Sequence, residues 1–360
     1  MSLANLRRKI DNLDKDIVSL LNKRADLAKD IGGLKKYSGK GVYVPDREVE
    51  VYSNVLGWNK GPLSAKAIRA IYREVMSGSL ALEKDVRIAY LGPEATFTHQ
   101  AAIKRFGSNV VYYPCSSITD IFREIEAGRS DYGVVPIENS TEGVVSHTLD
   151  MFINSDLKIC SEIMLEVSHN LLAKSKGRSL TVPCSSIKKV YSKQEVFGQC
   201  RVWLDENLHG AELAEVSSTS KAAEIVSKEK NSAAIASILA AEKYALNVIA
   251  ADIEDNANNM TRFLVIGNTM PAPTKNDRTS IMCSVKDKVG ALHDMLVPFK
   301  KNKVSLTKIE SRPSKRKAWE YYFFIDTLGH AENSHVAKAL KELEKKSAYL
   351  KILGSYPIGV

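Results

Sequence analysis

Leu3, Leu6, Ile10, Leu13, Ile17, Leu20, Arg24, Leu27, Ile31 and Leu34 recur at alternating steps of three and four. That is the a/d pattern of a long helix packed against other helices. Arg24 stands where a leucine belongs, and a guanidinium in an apolar stripe needs an anion: a neighbouring carboxylate, or a ligand. Arg7 and Lys35 each follow a stripe residue and lie on one edge of the helix, roughly 42 Å apart at 1.5 Å rise per residue. If both serve one small-molecule site, they come from different chains or from a helix that doubles back. With few apolar neighbours to bury the stripe, the pattern predicts an intertwined dimer in which Arg7 reaches the partner's pocket.

Two shorter helices follow. Val44-Pro45-Asp46-Arg47-Glu48 carries proline at the entry and acidic residues in the first turn, and Leu63 to Glu83 is the third helix, with Ser79 and Glu83 four apart on one face. From Val86 short apolar strands alternate with helices to about Gly267, which predicts an α/β unit with mainly parallel sheets, long enough for two lobes with a cleft between them. After the proline-rich stretch Met270-Pro271-Ala272-Pro273-Thr274 the order is βαββαβ, expected to form an antiparallel sheet with two helices on one face. The domains are therefore expected at 1–85, 86–268 and 279–360, with a linker at 269–278.

Composition narrows the function classes. No apolar run approaches a transmembrane span, and the charged, amphipathic N-terminal segment is not expected to be a signal peptide. The five cysteines are scattered without a CxxC pair, which suits reduced thiols in the cytoplasm. Seven histidines show no HExxH or paired spacing, so no metal is expected. The net charge of +9 sits at the two ends of the chain; an anionic substrate accounts for part of it, and Lys315-Arg316-Lys317 reads as a turn between strands. No nucleic-acid motif accompanies it. The middle segment lacks GxGxxG and GxxxxGK[ST], which argues against dinucleotide or P-loop binding, and no cofactor is expected.

Residues 3–85 resemble the all-helical type of chorismate mutase, with Arg7, Arg24, Lys35, Arg47, Glu48, Ser79 and Glu83 in the family's order and approximate spacing. The resemblance implies that Arg24, Arg47 and the partner chain's Arg7 clamp the two carboxylates of chorismate, that Glu48 binds its hydroxyl, and that Lys35 and Glu83 flank the ether oxygen as the catalytic pair. A pericyclic rearrangement needs no nucleophile or cofactor, only a folded dianion and charge stabilised at the breaking C–O bond. Some relatives carry glutamine at the position of Glu83. A glutamate donates to the ether oxygen only when protonated, so mutase activity is expected to rise toward acidic pH. Val44 occupies a position where some members have aspartate.

Residues 86–267 are similar to prephenate dehydratase, through Gly92-Pro93 with Phe97-Thr98-His99, Val135-Pro136-Ile137-Glu138-Asn139-Ser140, Ser218-Thr219-Ser220 and above all Thr261-Arg262-Phe263. The resemblance implies a two-lobed fold like that of periplasmic binding proteins. Thr261 would assist departure of the ring hydroxyl as general acid, Arg262 and Phe263 would shape the site, and Glu138, Asn139, Ser140, Ser192, Gln199, Ser218 and Thr219 would contact or orient prephenate. Because loss of CO2 and hydroxide creates an aromatic ring, the protein has mainly to align the two leaving groups and protonate one. Where some relatives have histidine-proline-glutamine after the serine, this chain has Lys193-Gln194-Glu195.

The last segment resembles a ferredoxin-like ACT regulatory domain, through Gly290-Ala291-Leu292 and Glu310-Ser311-Arg312-Pro313. The resemblance implies phenylalanine bound by Gly290, Ala291, Leu292, Glu310 and Ser311 between domains of two protomers, with Arg312 serving the domain interface, in a homodimer or tetramer. The three resemblances name consecutive steps of phenylalanine biosynthesis: chorismate to prephenate, prephenate to phenylpyruvate, and sensing of phenylalanine. Three alternatives stay open: arogenate in place of prephenate, a helical unit reduced to dimerisation, and a non-catalytic amino-acid sensor.

Overall fold

The computed structural model describes residues 2–38, 43–174, 182–285, 288–314 and 320–359, the side chains of residues 35–38 excepted. The turn expected at Lys315-Arg316-Lys317 lies outside the described residues, as does the side chain of Lys35.

The helical unit comprises α1 (Leu3–Ser38), α2 (Pro45–Trp58) and α3 (Ala65–Glu83). Pro45 opens α2, with Asp46 and Glu48 in its first turn, where the amide dipoles favour negative charge. Ser64 caps α3 by accepting from the Ala67 N–H at 3.1 Å. The first helix is continuous over 36 residues and does not double back. Its stripe lies open to solvent within one chain: Leu20 is 63% exposed and Leu34 72%.

The middle unit has two sheets. The first lobe contains β1 (Arg87–Leu91), α4 (Phe97–Phe106), β2 (Val111–Cys115), α5 (Ile118–Glu126), β3 (Tyr132–Asn139), β4 (Gly143–Val144), α6 (Ser146–Asn154) and β5 (Lys158–Glu166). The chain then crosses to the second lobe: β6 (Asn170–Ala173), β7 (Lys189–Ser192), α7 (Gln194–Gln199), α8 (Arg201–Asn207), β8 (Glu212–Glu215), α9 (Thr219–Val226), β9 (Ser232–Ala236), α10 (Ile238–Tyr244) and β10 (Asn247–Ala250). It returns as β11 (Met260–Gly267), which inserts between β3 and β5. The sheets are mixed, not mainly parallel. β1 runs parallel to β2 and β3, but the returning β11 is antiparallel to both its neighbours, because a strand re-entering from the far lobe arrives from the opposite end. Two crossovers make a hinge, with the strand ends and their loops facing the cleft.

The C-terminal unit is β12 (Asp277–Val285), α11 (Ala291–Lys301), β13 (Leu306–Pro313), β14 (Tyr321–Leu328), α12 (Ser334–Lys346) and β15 (Ser347–Pro357), in an antiparallel sheet of order β13-β14-β12-β15. The first strand begins at Asp277, two residues inside the expected linker. Ile281, Cys283 and Ile325 pack under both helices. On the opposite face, Met282, Tyr322, Phe324, Leu353 and Tyr356 share one core with Ile137, Leu149, Phe152 and Leu264 of the first lobe. Strand alternation thus gives this sheet two buried faces. Its contact with the middle unit is close enough that a Cβ on Gly354 would lie 2.8 Å from the Ile159 Cβ.

Candidate active sites

In the helical unit, the half-buried Arg24 donates from Nη1 to Ser79 Oγ at 2.6 Å, and Ser79 in turn donates to the Val75 carbonyl at 2.8 Å. Farther along α1, Gly32 lies against Glu83, where a Cβ would sit 2.7 Å from the glutamate Cγ. These two contacts put Arg24, Ser79 and Glu83 on one seam between α1 and α3. Arg7 is exposed near the far end of the same helix.

The other two expected members point elsewhere. Arg47 is exposed and paired with Glu50. Glu48 is turned to the middle unit, where its carboxylate lies 3.0 Å from Arg105 Nη2 on α4. Arg105 also donates from Nε to Tyr43 Oη at 2.6 Å. Burial pushes the Glu48 carboxyl above its ordinary range, and the charge of Arg105 offsets this only in part. Adjacent residues on a helix point about 100° apart, so one of the pair faces solvent and the other the domain junction.

The cleft of the middle unit is organised by side-chain amides. Asn139, at the end of β3, accepts at Oδ1 from the Thr141 and Glu142 N–H groups, 2.9 Å each. Its Nδ2 donates to Thr261 Oγ1 at 2.7 Å and to Asn259 Oδ1 at 2.8 Å. Asn259 donates to Gln199 Oε1 at 3.1 Å, and Gln199 Nε2 donates to Glu142 Oε1 across the cleft at 2.8 Å. His169 Nε2 lies 2.7 Å from the same Gln199 oxygen. Asn139, Gln199 and Thr261 therefore converge with three residues that motif reading did not assign: Glu142, His169 and Asn259. The polar pair Asn258-Asn259 just before the threonine could have pointed to Asn259; His169 had no local signal.

The remaining expected residues do structural work around this network. Ser140 accepts from the Met260 N–H at 2.9 Å and donates to the Asn258 carbonyl at 3.1 Å. Ser192 is fully buried and donates to the Ile235 carbonyl at 2.9 Å. Ser218 caps α9 through the Lys221 N–H at 3.0 Å, and Thr219 is buried behind it. Glu138 pairs with Lys308 of the C-terminal sheet at 2.9 Å.

Arg262 corrects the reading of the triplet. Successive strand residues face opposite sides, so with Thr261 at the cleft its neighbour turns away. Arg262 donates to Glu162 Oε2 and Asp326 Oδ2, 2.7 Å each, and to Tyr356 Oη at 2.9 Å. Burial works against its charge, and the surrounding oxygens of Tyr356, Asp326 and Glu162 outweigh that. Phe263 is buried in the first-lobe core with Tyr90 and Phe106. Arg312 makes a two-pronged contact with Asp150, at 3.0 and 3.1 Å, joining the C-terminal sheet to α6.

At the C-terminal unit, Gly290 has φ +79° at the start of α11, a left-handed conformation that favours glycine. Leu292 is partly exposed beside it, and Ser311 is exposed on the edge strand β13. Among the described residues no group of three or more His, Cys, Asp or Glu is arranged to hold a metal ion, and no helix is long and apolar enough to cross a membrane.

Three family models match in succession: chorismate mutase type II over residues 6–84, prephenate dehydratase over 88–271 and the ACT domain over 279–345. A bifunctional chorismate mutase/prephenate dehydratase from Aquifex aeolicus is 49% identical over 99% of this chain and 98% of its own length. The chain belongs to the bifunctional chorismate mutase/prephenate dehydratase family. A second such protein, from Pseudomonas aeruginosa, is 44% identical with the same coverage of both chains. The crystal structure of a prephenate dehydratase from Arthrobacter aurescens, in complex with L-Phe, is 35% identical and covers 76% of this chain and 90% of that one, with a TM-score of 0.70. As a member of this family the chain is both an isomerase and a carbon–oxygen lyase.

Proposed function

We propose that the chain converts chorismate to prephenate on the α1–α3 seam and prephenate to phenylpyruvate in the cleft of the middle unit, under phenylalanine control through the C-terminal unit. In the first step Arg24 binds a chorismate carboxylate, and Glu83 with Lys35 faces the ether oxygen. Arg7 of a second copy supplies the second clamp. The unbroken α1 supports that arrangement: Arg7 and Lys35 lie about 42 Å apart along one continuous helix, and a second copy laid antiparallel on the exposed stripe would bring the two ends together.

One observation carries the second step. The Asn139 oxygen is taken by two backbone N–H groups, so its nitrogen must face Thr261. Thr261 Oγ1 is thus an acceptor from the amide, and its own proton is left for the cleft. Prephenate loses its ring carboxylate as CO2, the released electron pair enters the ring, and the C–O bond opposite breaks. The departing hydroxide takes the Thr261 proton and leaves as water, and solvent reprotonates the alkoxide, which the Asn139 N–H stabilises meanwhile.

Given chorismate alone, the purified protein should form phenylpyruvate faster than prephenate converts spontaneously. Thr261→Val should accumulate prephenate instead, with a dehydratase rate lower by about 10²–10⁴. A variant still making phenylpyruvate at the wild-type rate would remove Thr261 from the chemistry.

For regulation, the L-Phe complex of the Arthrobacter protein supports phenylalanine as the ligand. The exposed Leu292 and Ser311 support a site that a second copy completes. Feedback requires that phenylalanine bind a less active state more tightly. Inhibition of the dehydratase should disappear on substituting Gly290 or Ser311, and inhibition unchanged in both variants would remove the assignment. The same reading makes the assembly a dimer or a tetramer and its location the cytoplasm.

A further inference from the structure

The polarity of the cleft's amides, fixed at Asn139, propagates to a residue that no motif marks. Since Asn139 Nδ2 gives a proton to Asn259 Oδ1, the Asn259 nitrogen is the atom facing Gln199 Oε1. The carboxylate of Glu142, an acceptor only, meets the Gln199 nitrogen. The Gln199 oxygen therefore already accepts one proton when it meets His169 Nε2 at 2.7 Å, and that ring nitrogen must be the donor. His169 is 1% exposed, lies on the first crossover between the lobes, and has the Phe97 ring edge-on at 5.5 Å. Its Nδ1 is buried and meets no hydrogen-bond partner among the described residues. Burial also holds the imidazole below the ordinary histidine range, so the ring is neutral and carries one proton, on Nε2.

We propose that His169 is a positioning residue of the dehydratase, whose Nε2–H holds the Gln199 amide with its remaining N–H turned to the anionic substrate. Gln199 Oε1 then takes two donors and Nε2 gives one proton to Glu142, leaving a single donor uncommitted. A reversed amide would set its oxygen against the Glu142 carboxylate and offer an acceptor to a dianion. This inference rests on the reading of Gln199 as a prephenate-orienting residue.

The test uses the geometry of amide side chains. Glutamine places an N–H near the position of the imidazole Nε2, whereas asparagine places one near Nδ1. In the full-length protein His169→Leu and His169→Asn should lower dehydratase kcat/KM about tenfold or more, as loss of an orienting partner does at comparable sites, while His169→Gln stays within about threefold and mutase activity is unchanged in all three. Nitrogen-15 spectra of histidine-labelled wild type, with the His169 signal identified by its loss in His169→Gln, should show a neutral ring protonated on Nε2 at neutral pH. A ring protonated on Nδ1, a His169→Asn enzyme as active as His169→Gln, or a fully active His169→Leu would each overturn the proposal. If Thr261→Val is inactive and His169→Leu is not, only the positioning role fails. If Thr261→Val retains activity, the reading of the cleft fails, and the spectra still report the tautomer. Should His169→Leu or His169→Asn not fold, the wild-type spectrum, assigned against His169→Gln, decides the donor.

Discussion

The two junctions of this chain differ in how much apolar surface each joined unit leaves uncovered. Between the middle and C-terminal units, apolar residues from both sides form one core, and ion pairs cross it: Arg262 with Asp326, buried, and Lys308 with Glu138 and Arg312 with Asp150, part-buried. The helical unit meets the middle unit where Tyr43 and Leu80 pack on the first-lobe core, with Glu48 beside Arg105 and the Ser77 hydroxyl accepting from the Asn109 N–H at 2.9 Å, and leaves its longest apolar stripe uncovered. One junction closes a sheet face within the chain; the helical unit leaves a long apolar face exposed, which the proposed second copy would cover. A dehydratase cleft can thus be preorganised in a single chain, because its hinge strands are clamped from below by the C-terminal sheet. In the arrangement proposed above, the mutase seam would lack one clamp, the second copy's Arg7, within a single chain.

Charging the stripe should separate the two halves most sharply. Ile17→Glu puts a carboxylate in the middle of an exposed apolar face, where a second copy would have to bury it. The mutase rate should fall by at least about a hundredfold, as expected when a positioned clamp is lost, and sedimentation should show a smaller assembly, with dehydratase activity retained. A variant with normal mutase activity would mean that the seam works within one chain, and the contrast would dissolve.

The next effect tests the buried junction. Arg262→Met removes the cation hydrogen-bonded to Glu162 and Asp326 but leaves Arg278 at 3.5 and 3.8 Å from the two carboxylates, so the cost should fall at the lower end of the about 3–5 kcal/mol lost when a buried pair is broken. Calorimetry should show a large drop in the transition of the middle and C-terminal units. Arg24→Met, which removes a half-exposed hydrogen bond, should alter stability by no more than about 1 kcal/mol while abolishing the mutase. Equal destabilisation by both would mean that the junctions differ less than their burial indicates. Gly354→Ala presses a methyl on the Ile159 backbone carbonyl, which cannot swing aside as a side chain can, and should cost at least about 1–3 kcal/mol by overpacking.

What the sequence disclosed divides along the same line. The helix stripe, the α/β alternation and the βαββαβ order follow local periodicities of 3.6 and 2, which any window of the chain displays. Arg24 was visible because it broke such a period. Arg262 was misread because a contiguous triplet hides strand alternation, which sends neighbours to opposite faces. The pairing of Glu48 with Arg105 could not be read at all, since it depends on how α4 docks on α2 across 57 residues of chain. His169 and Glu142 stayed silent for a similar reason: each takes its meaning from a partner across the cleft, Gln199. The expected parallel sheets became mixed because the return strand β11 obeys topology, which no window contains.

The smallest expected effect concerns acid. The helical unit contains no histidine, whereas His99 and His169 both line the middle unit, and burial lowers the pKa of each. His99 Nδ1 accepts from the Ala95 N–H at 3.0 Å and its ring stacks on Tyr90 with centroids 4.4 Å apart, so protonation would turn an acceptor into a second donor facing an amide. For both residues the folded state binds a proton less readily than the unfolded chain, whose histidines titrate near pH 6.5. As pH falls through that value the unfolded state takes up protons that the folded cleft refuses, and stability declines until the lower folded pKa is passed. Thermal melts should therefore show the middle unit losing stability between about pH 7 and pH 5 while the helical unit shows no histidine-linked change. His99→Gln, which keeps an acceptor without a titrating ring, should flatten part of that slope. A middle-unit transition insensitive to pH across this range would mean that neither ring is held neutral, and that the middle unit tolerates a charge that its hydrogen bonds oppose.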